Sequence, residues 1–386
     1  AFTNTGGTLA SGTGTLNLPA GGSHSGNITI TGTGVRFNGG THSFADSTTI
    51  AGQLNVAGAT ANFGTVTTNG LVNFSGGAIN VTTGDTLTLN GGMNWTGGVN
   101  INGPGTISLP SGQTLAMSGA ASRGFINTTF NNAGTTTSNI GGSQLVLNNS
   151  SIFNNSGTFR FLNNGDNISV SVGTGTFNNT GTLEVSGAIT NAVNNVAFTN
   201  TGGTLASGTG TLNLPAGGSH SGNITITGTG VRFNGGTHSF ADSTTIAGQL
   251  NVAGATANFG TVTTNGLVNF SGGAINVTTG DTLTLNGGMN WTGGVNINGP
   301  GTISLPSGQT LAMSGAASRG FINTTFNNAG TTTSNIGGSQ LVLNNSSIFN
   351  NSGTFRFLNN GDNISVSVGT GTFNNTGTLE VSGAIT

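Results

Sequence analysis

Apolar residues recur along this chain as short apolar-x-apolar triplets followed by small residues. Leu16-Asn17-Leu18, Val35-Arg36-Phe37, Leu54-Asn55-Val56, Val72-Asn73-Phe74, Met93-Asn94-Trp95 and Leu115-Ala116-Met117 begin 19, 19, 18, 21 and 22 residues apart. The outer positions are apolar and the middle one is polar or small, the period-two alternation of a half-buried strand. Four triplets run into small residues that read as turns: Asn38-Gly39-Gly40, Ala57-Gly58-Ala59, Ser75-Gly76-Gly77 and Thr96-Gly97-Gly98. A second short strand is predicted about twelve residues on, at Ile28-Thr29-Ile30, Thr65-Val66-Thr67, Thr86–Leu89 and Thr106–Leu109.

Further along, the pattern changes to F-N-N-x-G-T, at Phe130, Phe153 and Phe177, with a looser version at Phe198. Residues 1–190 recur without change at 197–386, an offset of 196, and NAVNNV (191–196) fills the difference. The step from Phe177 to Phe198 crosses that junction in phase, so NAVNNV reads as part of a coil and not as a linker. The expected domains are thus 1–196 and 197–386, two identical repeats of one continuous body. The chain begins at Ala1 and stops six residues short of two full repeats, which suggests a slice of a longer array or a processed piece.

A strand-turn-strand unit of this length cannot bury its apolar face alone, but stacked units can. The expected fold is all-β, a parallel β-solenoid of about nine coils of 18–24 residues per repeat. At about 4.8 Å per coil each repeat would extend about 43 Å. Leu18, Phe37, Val56, Phe74 and Trp95 then form one interior column, and Phe130, Phe153, Phe177 and Phe198 another. Asn17, Asn55, Asn73 and Asn94 lie outside as an amide ladder. Arg160 and Glu184, at matching places in neighbouring coils, are placed to pair.

Composition narrows the function. Charged residues are 4% of the chain and the net charge is -2, so no basic surplus exists for nucleic acid. Cysteine is absent, which removes disulfides and thiolate metal sites. No apolar run is long enough to span a bilayer. Lysine is absent and arginines number six, leaving trypsin few sites, as suits an extracellular protein.

Candidate chemistry is sparse. His24 and His42, with Asp46, could approach a shared metal, but two ligands without a third make no zinc site, and solvated turn histidines are the expectation. Asp46, Asp85, Asp166 and Glu184 read as isolated turn or surface acids, with no pair at one-coil spacing for glycoside hydrolysis. Asn163-Asn164-Gly165-Asp166-Asn167 lacks the repeat of calcium-binding β-rolls. Trp95 has the chemistry of a sugar-stacking platform, but it shares a column with Phe37 and Phe74, which makes it core. N-x-S/T triplets at Asn27, Asn80 and Asn149 are expected by chance in such a composition. Thr-x-Thr at Thr13, Thr29, Thr31, Thr65 and Thr86 raises ice binding, yet the triplets between Met93 and Met117 lack it. No catalytic, metal or cofactor site is expected.

With its F-N-N-x-G-T motifs and Gly-Asn-Thr texture, the chain resembles the β-helical repeats of large bacterial surface proteins. These are the filamentous-haemagglutinin-like adhesins and autotransporter passenger stalks. The resemblance implies a secreted, right-handed parallel β-helix at the cell surface. It implies a fibre built on itself, or an adhesin holding surface glycans by its side.

Overall fold

The structure, a computed structural model, describes residues 2–382; Ala1 and residues 383–386 lie outside it. The chain is all β, and the described residues make about 18 turns of about 21 residues with no helix. They divide into two compact units, Ala1–Phe198 and Thr199–Thr386. Each unit is a parallel β-solenoid.

Every coil has three walls, one more than the alternation predicts. In the first unit the first wall stacks Phe2–Thr5, Gly22–Ser25 and Thr41–Phe44. The second stacks Thr8–Ala10, Asn27–Thr31 and Thr48–Ala51. The third holds the triplets, with Phe37 on Val56, Val56 on Phe74 and Phe74 on Trp95. Leu18 lies just past its strand and is half-buried in the first coil. The extra wall escapes sequence reading because its early strands are Gly-Ser-His-Ser and Thr-His-Ser-Phe, which carry little apolar alternation.

Two expected turns are absent. After Val56 and Phe74 the chain stays in strand, as Leu54–Phe63 and Val72–Val81, and goes round the corner through register shifts at Phe74, Gly76 and Ala78. Extra residues in one strand bend it without ending the ladder. NAVNNV contributes to the strand Thr190–Val193, which pairs Ala192 with Asn167 and Val193 with Ile168.

The F-N-N-x-G-T motif has a structural reading residue by residue. Phe130, Phe153 and Phe177 stack inward on the second wall, with ring centroids 4.9 and 5.0 Å apart, and Phe198 follows at 6.1 Å. The first Asn of each motif points out, and Asn154 and Asn178 donate to the amide oxygens before them at 2.8 and 2.9 Å. The second Asn turns in at the corner. Asn132 Nδ2 donates to Asn155 Oδ1 at 2.6 Å and Asn155 Nδ2 to Asn179 Oδ1 at 2.7 Å. The same amides also donate to Thr158 O and Thr182 O, both at 2.9 Å, so these buried side chains hold neighbouring corners together. The Gly completes the corner, since a Cβ on Gly157 would lie 2.0 Å from Gly134 O.

Candidate functional site

His24 and His42 are not solvated turn residues. They lie on first-wall strands, 1 and 0% exposed, against Phe37 and Phe44. His42 Nε2 is 3.0 Å from Leu18 O, and a carbonyl only accepts, so that nitrogen carries the proton. His42 Nδ1 is therefore the acceptor for His24 Nε2–H at 2.9 Å. The second unit repeats this with His220, His238 and Leu214 O. Both imidazoles are thus neutral donors in a relay, and among the described residues no group of three or more His, Asp or Glu is placed to hold a metal.

Burial, and then the neighbouring His42, push His24 down to about 4, and burial with His238 pushes His220 down to about 3. A lowered folded value means that the unfolded chain takes up protons first as pH falls. The histidines then cost nothing above about pH 6.5, and stability drops between about 6.5 and 4. Urea titrations at stepped pH are expected to show a loss of about 3 kcal/mol in the first unit by pH 4. Replacing all four histidines by leucine should flatten that limb, and an unchanged pH profile in that variant would assign the loss to the carboxylates.

Asp166 is also misplaced by sequence reading, for it is 0% exposed. Its Oδ2 accepts from Ser138 Oγ at 2.8 Å and Ile140 N at 2.9 Å, and its Oδ1 from Gly142 N at 2.7 Å. These partners fix a corner in the coil before, and they leave the carboxylate no role as a calcium ligand. Arg123, which sequence reading passed over, is its counterpart at 1% exposure. It donates to Ser118 O at 3.0 Å and Gly119 O at 2.8 Å, and also to Ala121 O and Trp95 O. Its guanidinium sits 5.9 Å from the Trp95 ring, and Trp95 itself is 0% exposed, part of the core and unable to meet a sugar.

The remaining acids are at the surface. Asp46 and Asp85, two coils apart, meet at Thr65: Asp46 Oδ1 accepts its N–H at 2.9 Å and Asp85 Oδ1 its hydroxyl at 3.0 Å. The Thr82 hydroxyl above all, with Thr65 and Asp46 adding to it, holds Asp85 below the usual carboxylate range against the opposing effect of burial. That keeps it ionised, the opposite of what a proton-donating carboxyl needs. Arg160 pairs with Glu184, its register partner. Such an exposed pair contributes about 0–1 kcal/mol.

The Thr-x-Thr segments at Thr29, Thr65 and Thr86 lie on or beside second-wall strands, while the one at Thr13 sits in the turn before Leu16–Asn17. Thr49, Thr67, Thr88 and Ser108 stand in register, but the column ends at Asn131, and Thr29 is followed by Ala51. Four matched rungs make a short array, not a continuous face.

The outward amide ladder is shorter than expected at its Asn17 end. Asn73 donates to Asn55 at 2.8 Å and Asn94 to Asn73 at 3.0 Å. Asn17 is cut off, because Arg36 stands between it and Asn55 in register. A second ladder, Asn62–Asn80–Asn102, was hidden in the bulged strands. Around the first ladder the third wall forms an open groove of about 440 Å³ in the first unit. Arg36, Gln53, Asn55, Asn73, Ser75 and Asn94 are among its lining.

The fold defines the class, a parallel β-solenoid of repeated coils. Comparison with protein families, curated proteins and solved structures finds no match, so function rests on the architecture and its residues. Among the described residues no helix is long and apolar enough to cross a membrane.

Proposed function

We propose that this is an extracellular structural repeat protein of a cell surface, forming a rod-like filament, stalk or matrix fibre by stacking coil on coil, with no enzymatic role. One observation carries the reading: each coil pairs with the next through a parallel main-chain ladder, and the apolar columns so stacked are buried, with Phe37, Val56, Phe74 and Trp95 at most 1% exposed. Stacking of this kind lengthens by repetition, since each coil offers its strand edges to the next.

Main-chain ladders and apolar columns hold such a fibre, and charge contributes little. Electron micrographs of native material are expected to show smooth threads with an axial repeat of about 43 Å or a multiple of it. The threads should persist in EDTA and in about 1 M salt. Dissociation under either condition would remove the proposal's basis.

A second reading, an adhesin that holds glycans by its side, is favoured by the polar groove on the third wall. Loss of attachment in deletions that keep the fibre intact would support it.

A further inference from the structure

We infer that the groove on the third wall binds an acidic sugar chain, with an oxyanion on Arg36 and hydroxyls along the Asn73 and Asn94 amides. The inference rests on the adhesive reading and gives it a site and a ligand class.

Charge bookkeeping within one repeat singles out Arg36. Its arginines are Arg36, Arg123 and Arg160. Arg123 is buried and committed to carbonyls, and Arg160 is paired with Glu184. Arg36 is exposed, its register neighbours Asn17 and Asn55 are neutral, and it has no ion pair among the described residues. A guanidinium fork offers two parallel donors matched to a carboxylate or sulfate.

The amides beyond it are held in a fixed sense. Asn55 Nδ2 uses both hydrogens on Thr33 O and Val35 O, at 3.1 and 2.7 Å. Its Oδ1 accepts from Gln53 at 2.7 Å and from Asn73 at 2.8 Å. Asn94 ends the ladder, because the next coil presents Ala116 there, so no following amide donates to its Oδ1. The groove thus runs from a cationic donor, past a fully bonded Asn55 and then Asn73 and Asn94 with one remaining N–H each, to an uncommitted acceptor. Four rungs span about 14 Å, a few pyranose rings. No aromatic ring is in the lining, so a neutral sugar finds nothing to stack on, and charge-assisted bonds must supply the binding.

The second repeat has the same residues and the same bonds, with Arg232 beside Asn251, Asn269 and Asn290. A test must therefore change both copies. Titration calorimetry of the full chain would use a hexagalacturonate, a chondroitin sulfate hexasaccharide and neutral maltohexaose. One or both acidic probes should bind and the neutral one should not, the two acidic arms separating carboxylate from sulfate. Arg36→Gln with Arg232→Gln should weaken binding about tenfold or more, at an unchanged melting temperature. Arg36→Lys with Arg232→Lys should recover only part of it. The inference fails if maltohexaose binds as well, if the double Gln variant binds like the parent, or if neither acidic probe binds by about 1 mM. Surface attachment that survives the double Gln variant would overturn the groove and leave the adhesive reading standing; a parent chain that attaches to nothing would overturn both.

Discussion

Gly157→Ala is expected to cost about 3 kcal/mol of folding stability, while Gly84→Ala costs only about 1 kcal/mol. Gly157 does not need glycine for its dihedrals; it needs it for space. An added Cβ would lie 2.0 Å from Gly134 O and 2.7 Å from the carbonyl carbon and oxygen of Ala133. All three are main-chain atoms, so no side chain can swing aside. The coils cannot part either, because Gly157 N donates to Asn132 O and Thr158 N to Gly134 O, both at 2.9 Å. Gly84 has φ of +83° and no heavy atom within 4 Å of its added Cβ, so only the left-handed backbone penalty applies. Gly353 stands at the matching place in the second unit, 2.1 Å from Gly330 O, and should behave like Gly157. Urea titrations of the three variants would decide the matter. Equal costs at Gly157 and Gly84 would mean that corners relax, and that main-chain contact does not set the coil spacing.

Such corners explain what could be read from the sequence. The triplet wall was legible because Leu54, Val56, Val72, Phe74, Met93 and Trp95 keep both the period of two and the coil offset. The strands Thr86–Leu89 and Thr106–Leu109 fall where the alternation puts them. The first wall was not legible, since its early interior positions are held by His24, His42 and Ala61, two of which count as polar in any pattern. Buried Asn132 and Asn155 were missed for a related reason. These amides are interior residues because another amide stacks on each, and single-residue hydropathy does not register that. The ladder also shows the limit of the device: Asn132 Oδ1 is buried without a donor, because the preceding coil places Leu109 there.

Asp166→Asn is expected to loosen the corner at Ile140–Gly142 by about 3 kcal/mol, because the new NH₂ must face an N–H or O–H that formerly donated. All three described partners of Asp166 are donors: Ser138 Oγ, Ile140 N and Gly142 N. The local readout is amide exchange, which should quicken about a hundredfold at Ile140 and Gly142 and much less on the far walls. Arg123→Met should cost a similar amount or more, since the carbonyls of Ser118 and Gly119 lose a charged donor. The two effects should not add. Burial lowers the Arg123 value, and the charge of Asp166 opposes that shift, so each group lessens the cost of holding the other inside. In the Asp166→Asn background, Arg123→Met should therefore cost less than it does alone, with a coupling of about 1 kcal/mol or more. Strict additivity would show instead that the cation and the anion fasten their corners independently, each through its own main-chain partners.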